Sequence, residues 1–401
     1  MGLNKQYDGY YAYSYVDNSE FDTVELIEPS GQWYGPLELV PLTPEQEARS
    51  KRLMEDSIVI SLHEHACLFP KDMHNNVAYK HSGRQFMAYQ ALANSCLDAV
   101  FDNMMDGTCV ITSKNGWKWT DIIHDLGMRL CDVAQQKFVI RGATVDDIVR
   151  AHNEGKLAFV PALEGPAPIE NEIERIDVLY GLGVRQMGIS YSQSSLLGGG
   201  IQEDRDGGLT MLGKKAIRRM NEVGMLIDCS HAGDLTTMET IQESKKPIML
   251  THVGARALWN SKRLKGDDVI RMLADKGGVV GVECAPHTTI TRGNRTHSID
   301  SVMEHFEYLV NLVGIDHVAF GPDTLYGDHV GLHNAFASHL AIKNTQSQDE
   351  FPRVPYVHGM ENPTEASLNI VRWLVKHDYS DSDIQKVIGG NALRVLKEVW
   401  H

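Results

Sequence analysis

The chain has 401 residues, 42% of them hydrophobic, which is ample for a large buried core. Its net charge of −15 argues against a nucleic-acid partner, because phosphate groups would be repelled. No run of about 18 apolar residues and no apolar signal core is found, so we expect no membrane partner. The six cysteines are scattered without a CxxC pair, which is typical of reduced thiols and favours a cytoplasmic location.

The first 50 residues are rich in tyrosine, polar and punctuated by proline, and they show no long period. This composition predicts an N-terminal extension, residues 1–50, that lies on the body of the protein. We expect residues 51–401 to form one domain, because an α/β barrel with insertions can hold this length as a single unit.

From about residue 57 the sequence alternates between short apolar segments and amphipathic helices. The apolar segments are uninterrupted, as expected of parallel strands that are buried on both faces. Eight strands are predicted, at 57–63, 107–112, 157–163, 184–190, 225–230, 247–252, 277–284 and 317–321. Helices are predicted between them at 120–136, 144–154, 172–182, 210–223, 233–243, 266–275 and 300–313, the second and fourth opening on a threonine cap.

Eight alternations with this spacing favour a closed (β/α)8 TIM barrel over an open, doubly wound sheet. No GxGxxG follows the first strand, which argues against a dinucleotide-binding fold. The segments 66–105, 192–207 and 324–360 are predicted to be the loops that build the pocket, the last of them as a lid or wall. Two C-terminal helices, 363–377 and 380–399, are predicted to pack outside the barrel.

Polar residues end most of the predicted strands. His63 and His65 end the first strand and lie two residues apart, so both side chains point to the same face. Later strands end in Glu164, Tyr191, His231, His252 and Asp323. In a barrel these positions all converge on the carboxyl-terminal mouth. Four histidines and two carboxylates are more than one metal ion needs, and they predict a site for two.

Several motifs make the chain similar to a known family. They follow one another in the family's order from about residue 57 to the C-terminus. The motifs are GLTMLG at 208–213, MLIDCSH at 225–231, PIMLTH at 247–252, Lys262-Arg263, FGPD at 320–323 and IGGNALR at 388–394. On these residues the chain resembles the membrane (renal) dipeptidase family of the amidohydrolase superfamily.

The resemblance implies a (β/α)8 barrel that holds two Zn²⁺ ions per chain. It implies that His63 and residue 65 bind one ion, that His231 and His252 bind the other, and that Glu164 bridges them. It also implies a homodimer, while Mn²⁺ or Fe²⁺ stays open as the metal in the cell.

The resemblance also implies the catalytic roles. Asp323 would be the acid and base that moves the proton of a metal-bridging hydroxide. Arg263 would bind a substrate carboxylate through its planar fork. The sequence is therefore expected to encode an enzyme that cleaves an amide or peptide bond in a small, carboxylate-bearing molecule.

Two positions depart from the family pattern. The first strand of the family typically reads His-x-Asp, whereas this chain has His65, which removes one negative charge from the site. The fourth strand typically ends in a histidine that contacts substrate, and here Tyr191 could donate a hydrogen bond to an oxyanion. These changes leave open an alternative on the same scaffold, a lactone or ester hydrolase or a metal-dependent decarboxylase.

Overall fold

The computed structural model describes residues 5–16, 20–27, 37–104, 116–336 and 357–401. Across these residues ten strands join in one sheet. They are Ile60–Leu68 (β1), Ala99–Asn103 (β2), Val139–Arg141 (β3), Leu157–Leu163 (β4), Gln186–Gly188 (β5), Leu226–Asp228 (β6), Met249–Val253 (β7), Val279–Val282 (β8), Val318–Phe320 (β9) and Leu325–Tyr326 (β10).

The sheet closes into a barrel. Strands β1, β2 and β4 to β9 follow one another as parallel neighbours, and β3 adds to the side of β4. After β9 the backbone turns back to β1: the Asp323 N–H donates to the His63 carbonyl (3.0 Å) and the His65 N–H to the Thr324 carbonyl (2.9 Å). Since β10 then pairs with β1, β9 and β10 together form the eighth barrel strand, and the predicted (β/α)8 barrel is confirmed.

Helices surround the barrel, and none in the described ranges is long and apolar enough to cross a membrane. Two begin as predicted, since the Thr144 and Thr210 side chains accept from the N–H groups of Asp147 and Gly213. The helices are Pro44–Asp56 (α1), Asn76–His81 (α2), Tyr89–Ala93 (α3), Trp119–Val133 (α4), Val145–Asn153 (α5), Glu174–Leu182 (α6), Met211–Val223 (α7), Asp234–Glu243 (α8), Asp267–Asp275 (α9), Ile299–Val313 (α10), His329–Ala335 (α11), Pro363–Lys376 (α12), Asp381–Gln385 (α13) and Asn391–Val399 (α14).

The second barrel strand differs from the prediction. The segment 107–112 lies outside the described residues, and β2 takes the second position between β1 and β4. The segment 66–105, predicted as a loop, therefore carries α2, α3 and β2. Sequence pattern missed β2 because the strand ends in Asp102 and Asn103, which are buried by tertiary contacts rather than by apolar character.

The predicted lid segment 324–360 also contains regular structure, because β10 and α11 occupy its first part. Residues 337–356 lie outside the described part of the chain, so the lid itself stays a prediction.

The last helix closes the amino-terminal end of the barrel. Asn391 donates from Nδ2 to the carbonyls of Ile315 (2.7 Å) and Val318 (2.8 Å), at the start of β9. The rings of Trp400 and Phe101 lie 5.9 Å apart between centroids. Thus α14 lies outside the barrel, as predicted, but covers its end and seals an apolar cluster there.

Described residues near the N-terminus contact the barrel domain. Tyr10 donates from its hydroxyl to Asp132 of α4 (2.6 Å), and Lys5 pairs with Asp98 at 3.0 Å. Helix α1 spans residues 44–56, and the division of the chain at residue 50 stays a prediction.

Candidate metal centre

The six predicted ligand and acid side chains lie at the carboxyl end of the barrel. His63 and His65 belong to β1 and His252 to β7. Glu164, His231 and Asp323 follow β4, β6 and β9 within three residues. Because parallel strands of a barrel all end at one rim, residues far apart in the chain meet there.

The two histidines of β1 face two carboxylates. The distances from His63 Nε2 to Glu164 Oε1 and to Asp323 Oδ1 are both 3.3 Å. His65 Nε2 lies 3.3 Å and 3.4 Å from the same two oxygens. Two groups of three side chains therefore have ligand atoms close enough together to hold a metal ion, namely His63, His65 and Glu164, and His63, His252 and Asp323.

The other two histidines form a second pair. The Nε2 atoms of His231 and His252 lie 2.9 Å apart, and His231 Nε2 lies 3.9 Å from Glu164 Oε2. Glu164 thus turns one oxygen to each histidine pair. His63 also lies beside the second pair, because its ring centroid is 3.5 Å from that of His252.

The chemistry of these residues fits a divalent transition metal. His63 Nε2 is buried and has no hydrogen-bond partner among the described residues, although it faces two carboxylates. Burial, together with the nearby cationic groups, holds the pKa of His231 and His252 well below the usual value, which keeps both rings neutral and able to bind a metal.

Near β1 the carboxylates raise the pKa of the histidines instead. Burial lowers the pKa of His63, but Asp323 and Glu164 outweigh it and raise the pKa to about 9. The same balance raises the pKa of His65 to about 10. The two carboxylates therefore favour positive charge between the rings, whether carried by protons or by a metal ion.

Backbone geometry aims the acidic groups into the mouth. Asp323 has φ of 59°, in the left-handed region that residues other than glycine rarely adopt. Strain of this kind is tolerated where a side chain must point in a set direction. Gly188 of β5 lets the chain pass close to Glu164, because a Cβ there would collide with the Glu164 carbonyl oxygen.

Hydroxyl groups contact the outer ring nitrogens of the second pair. Ser192 Oγ lies 3.1 Å from His231 Nδ1, and Thr251 Oγ1 lies 2.9 Å from His252 Nδ1. When the hydroxyl oxygen accepts from Nδ1–H, the lone pair stays on Nε2, the atom that faces the centre.

Arg263 is buried beside this centre. Its Nη2 donates to the His252 carbonyl (3.0 Å) and to Glu283 (2.6 Å), while Nη1 has no hydrogen-bond partner among the described residues. Glu283 follows β8 directly, and sequence reasoning missed it although the same rule of polar strand ends would have found it. Burial raises the pKa of Glu283 to about 8 against the opposing effect of Arg263.

Tyr191 stacks on a histidine of the second pair. The ring centroids of Tyr191 and His231 lie 4.1 Å apart with an angle of 25° between the planes. Tyr191 also lines a cavity of about 360 Å³ with Pro166, Glu170 and Leu197. Tyr191 therefore lies between this cavity and the His231 ring, while the six histidines and carboxylates of the centre do not themselves line the cavity.

Glu64, between the two histidines of β1, is another residue that sequence reasoning missed. Its Oε2 accepts from the N–H (2.8 Å) and the hydroxyl (2.6 Å) of Thr324, the residue after Asp323. Glu64 therefore helps to hold the turn that carries Asp323. An alternating pattern could not reveal it, because both faces of β1 are buried.

A closed barrel with buried histidines and carboxylates at its mouth is typical of a metal-dependent hydrolase. Residues 47–340 match the membrane dipeptidase family, peptidase family M19. The chain therefore belongs to the membrane dipeptidase family.

Relatives and solved structures agree with this assignment. The chain is 29% identical over 288 residues to an uncharacterized protein in the pqqA 5′ region of Klebsiella pneumoniae, covering 70% of this chain and 92% of that one. It is 25% identical over 292 residues to dipeptidase aclJ of Aspergillus oryzae, covering 72% of this chain but only 62% of that relative. An amidohydrolase from Pseudomonas aeruginosa has a similar structure, with a TM-score of 0.70 and 25% identity over 88% of this chain and 99% of that one.

Proposed function

We propose that the chain is a dinuclear-zinc hydrolase that cleaves an amide or peptide bond in a small, carboxylate-bearing substrate. The observation that carries the proposal is Glu164, which turns Oε1 to His63 and His65 (both 3.3 Å) and Oε2 to His231 (3.9 Å). A carboxylate between two histidine pairs is a donor set suited to two ions, and histidine with carboxylate suits zinc. The relative named a dipeptidase supports the choice of bond.

In this proposal His63 and His65 hold one ion, His231 and His252 hold the other, and Glu164 lies between them. When bound, the metal ions lower the pKa of coordinated water and polarise a substrate carbonyl. The contribution of these five side chains is to offer four ring nitrogens and one shared carboxylate in a buried setting, where His231 and His252 are already neutral and a bound metal would displace a proton from His63 and His65.

Asp323 is the proposed acid and base. Burial raises its pKa, but His63, His65 and His252 outweigh that effect and hold the pKa well below the usual range. An ionised carboxylate at this position can accept a proton from the attacking water and pass it to the leaving nitrogen.

Tyr191 and Arg263 are proposed to bind the substrate on either side of the reacting carbonyl. The Tyr191 hydroxyl would donate to the developing oxyanion, since its ring already lies over His231. Arg263 would receive the substrate carboxylate through Nη1, which is buried and has no partner among the described residues.

The role of Asp323 is tested by Asp323→Asn. We expect turnover to fall about 10²- to 10⁴-fold, the usual contribution of a general acid and base, while elemental analysis still finds two metal ions per chain. Asp316→Asn is the matched control, because Asp316 precedes β9 at the opposite end and pairs with Lys386 at 2.7 Å. Unchanged turnover in Asp323→Asn would reject the assigned role.

The substrate class is tested with a panel of dipeptides, acyl-amino acids, lactones and carboxylated aromatic compounds, each with and without a chelator. Cleavage of a dipeptide or acyl-amino acid that the chelator abolishes is the expected result. Turnover of lactones alone, or release of CO₂ from the aromatic compounds, would replace this proposal with the alternative that His65 and Tyr191 suggest.

A cytoplasmic location and a homodimer are part of the same proposal. Light scattering on the purified protein is expected to give twice the mass of the 401-residue chain.

A further inference from the structure

Asn103, the last residue of β2, contacts both histidines of β1. Its side-chain Nδ2 lies 2.8 Å from Nδ1 of His63, and its backbone carbonyl oxygen lies 3.0 Å from Nδ1 of His65. All three residues are buried. Asn103 therefore contacts Nδ1 of both rings, which is the nitrogen that faces away from Glu164.

A histidine that binds a metal through Nε2 carries its proton on Nδ1, and that proton needs an acceptor. For His65 the acceptor is the Asn103 carbonyl, which cannot donate. The contact therefore keeps the proton on Nδ1 of His65 and leaves the Nε2 lone pair directed at the carboxylates.

For His63 the partner is an amide, which offers both a donor and an acceptor. With Nδ2 turned to His63, two buried atoms have no hydrogen-bond partner among the described residues, Asn103 Oδ1 and His63 Nε2. A half-turn of the amide brings Oδ1 to Nδ1 of His63, where it accepts the ring proton. The lone pair of His63 Nε2 is then free for a cation.

We infer that Asn103 is a positioning residue of the metal centre, whose two oxygens fix the tautomer in which His63 and His65 both offer Nε2 to a metal. The inference rests on the proposed ligands His63 and His65. It depends on a feature of this chain, because a carboxylate at position 65 would have no ring N–H for the Asn103 carbonyl to accept.

The end of β2 is held firmly enough for this role. Asp102, the neighbour of Asn103, accepts from the Ala66 N–H at 2.7 Å and forms a buried ion pair with Arg129 of α4. These contacts join β2 to β1 next to His65, so the Asn103 carbonyl has little freedom to move away.

Two substitutions separate positioning from packing. Asn103→Leu keeps a similar volume but removes the side-chain acceptor, and we expect zinc affinity about 10- to 100-fold below the wild type. Asn103→Asp keeps an acceptor, and its affinity should stay close to that of the wild type. Affinity is measured by competition with a chromophoric chelator, and the absorption spectrum of the Co²⁺-loaded protein reports the ligand geometry independently of activity.

Asn391→Leu is the matched control. Asn391 is also a buried asparagine that bonds two backbone carbonyls beside a barrel strand, but it lies at the opposite end. We expect it to lower the stability of the chelator-treated protein and to leave zinc affinity and the Co²⁺ spectrum unchanged.

The inference is overturned if Asn103→Leu binds zinc as the wild type does, or loses no more affinity than Asn391→Leu. It is also overturned if Asn103→Asp is as weak as Asn103→Leu, since an acceptor would then not be what matters. If the wild type itself binds no transition metal, the proposed ligand set fails; if the wild type binds two ions and Asn103→Leu binds them equally well, only the role of Asn103 fails.

Discussion

The two ends of the barrel are built in opposite ways. At the amino end α14 covers an apolar cluster that includes Leu62, Phe101 and Leu396, and the Asn391 amide donates to two backbone carbonyls, while the neutral indole Nε1 of Trp400 has no hydrogen-bond partner among the described residues. At the carboxyl end, in the part of the chain that the structure describes, buried polar atoms lack hydrogen-bond partners, namely His63 Nε2, Arg263 Nη1 and Glu283 Oε1.

The same strands therefore contribute to stability at their amino ends and to function at their carboxyl ends. A buried polar atom without a partner costs free energy, and the cost is larger for ionisable groups such as these three at the mouth, where a ligand or metal can supply the partner. Backbone strain is also found at the carboxyl end. Ser192, His287 and Asp323 follow barrel strands, and all three have positive φ. Substitutions at the amino end should therefore change stability alone, and substitutions at the mouth should change binding or turnover.

The strongest test of the amino end is Leu396→Ala. The Leu396 side chain is fully buried in the cluster under α14, so its truncation leaves a cavity. We expect the free energy of unfolding to fall by about 2–5 kcal/mol, measured by urea denaturation, with zinc content and Asp323-dependent turnover unchanged. A parallel loss of zinc affinity in the folded protein would show that the two ends are not independent.

At the mouth, Tyr191→Phe keeps the ring over His231 and removes only the hydroxyl. If the hydroxyl stabilises the oxyanion, kcat should fall by about 10²-fold without loss of metal. Tyr191→Leu, which also removes the stacked ring, serves as the comparison. Full activity in Tyr191→Phe together with a defect in Tyr191→Leu would assign Tyr191 to holding His231 instead.

The smallest expected effect concerns Glu283. Burial raises its pKa to about 8 against the opposing effect of Arg263, so Glu283 is mainly protonated at neutral pH and ionises as the pH rises through 8. The ionised form then competes with a substrate carboxylate for Arg263. We expect KM to rise about two- to fivefold above pH 8, equivalent to about 0.5–1 kcal/mol, and Glu283→Gln to abolish that rise. A wild-type KM that stays constant from pH 6 to 9 would contradict this competition.

The rule that polar residues end barrel strands predicted most of the residues of the candidate site. It identified His63, His65, Glu164, His231, His252 and Asp323, which the fold brings together at one rim. It did not lead to Asn103, because the apolar part of β2 is only three residues long and has an aspartate on each side, Asp98 and Asp102. It also passed over Glu64, because its strand is buried on both faces.

The sequence by itself determined the class of fold and the family, because alternating periodicity and short motifs are local properties of the chain. Tertiary structure alone decided which ring nitrogen of each histidine faces the centre. It also decided that the Arg263 guanidinium donates to Glu283 and that β9 and β10 close the barrel. These features depend on distances between residues up to 260 positions apart, such as Glu64 and Thr324, which no local pattern encodes.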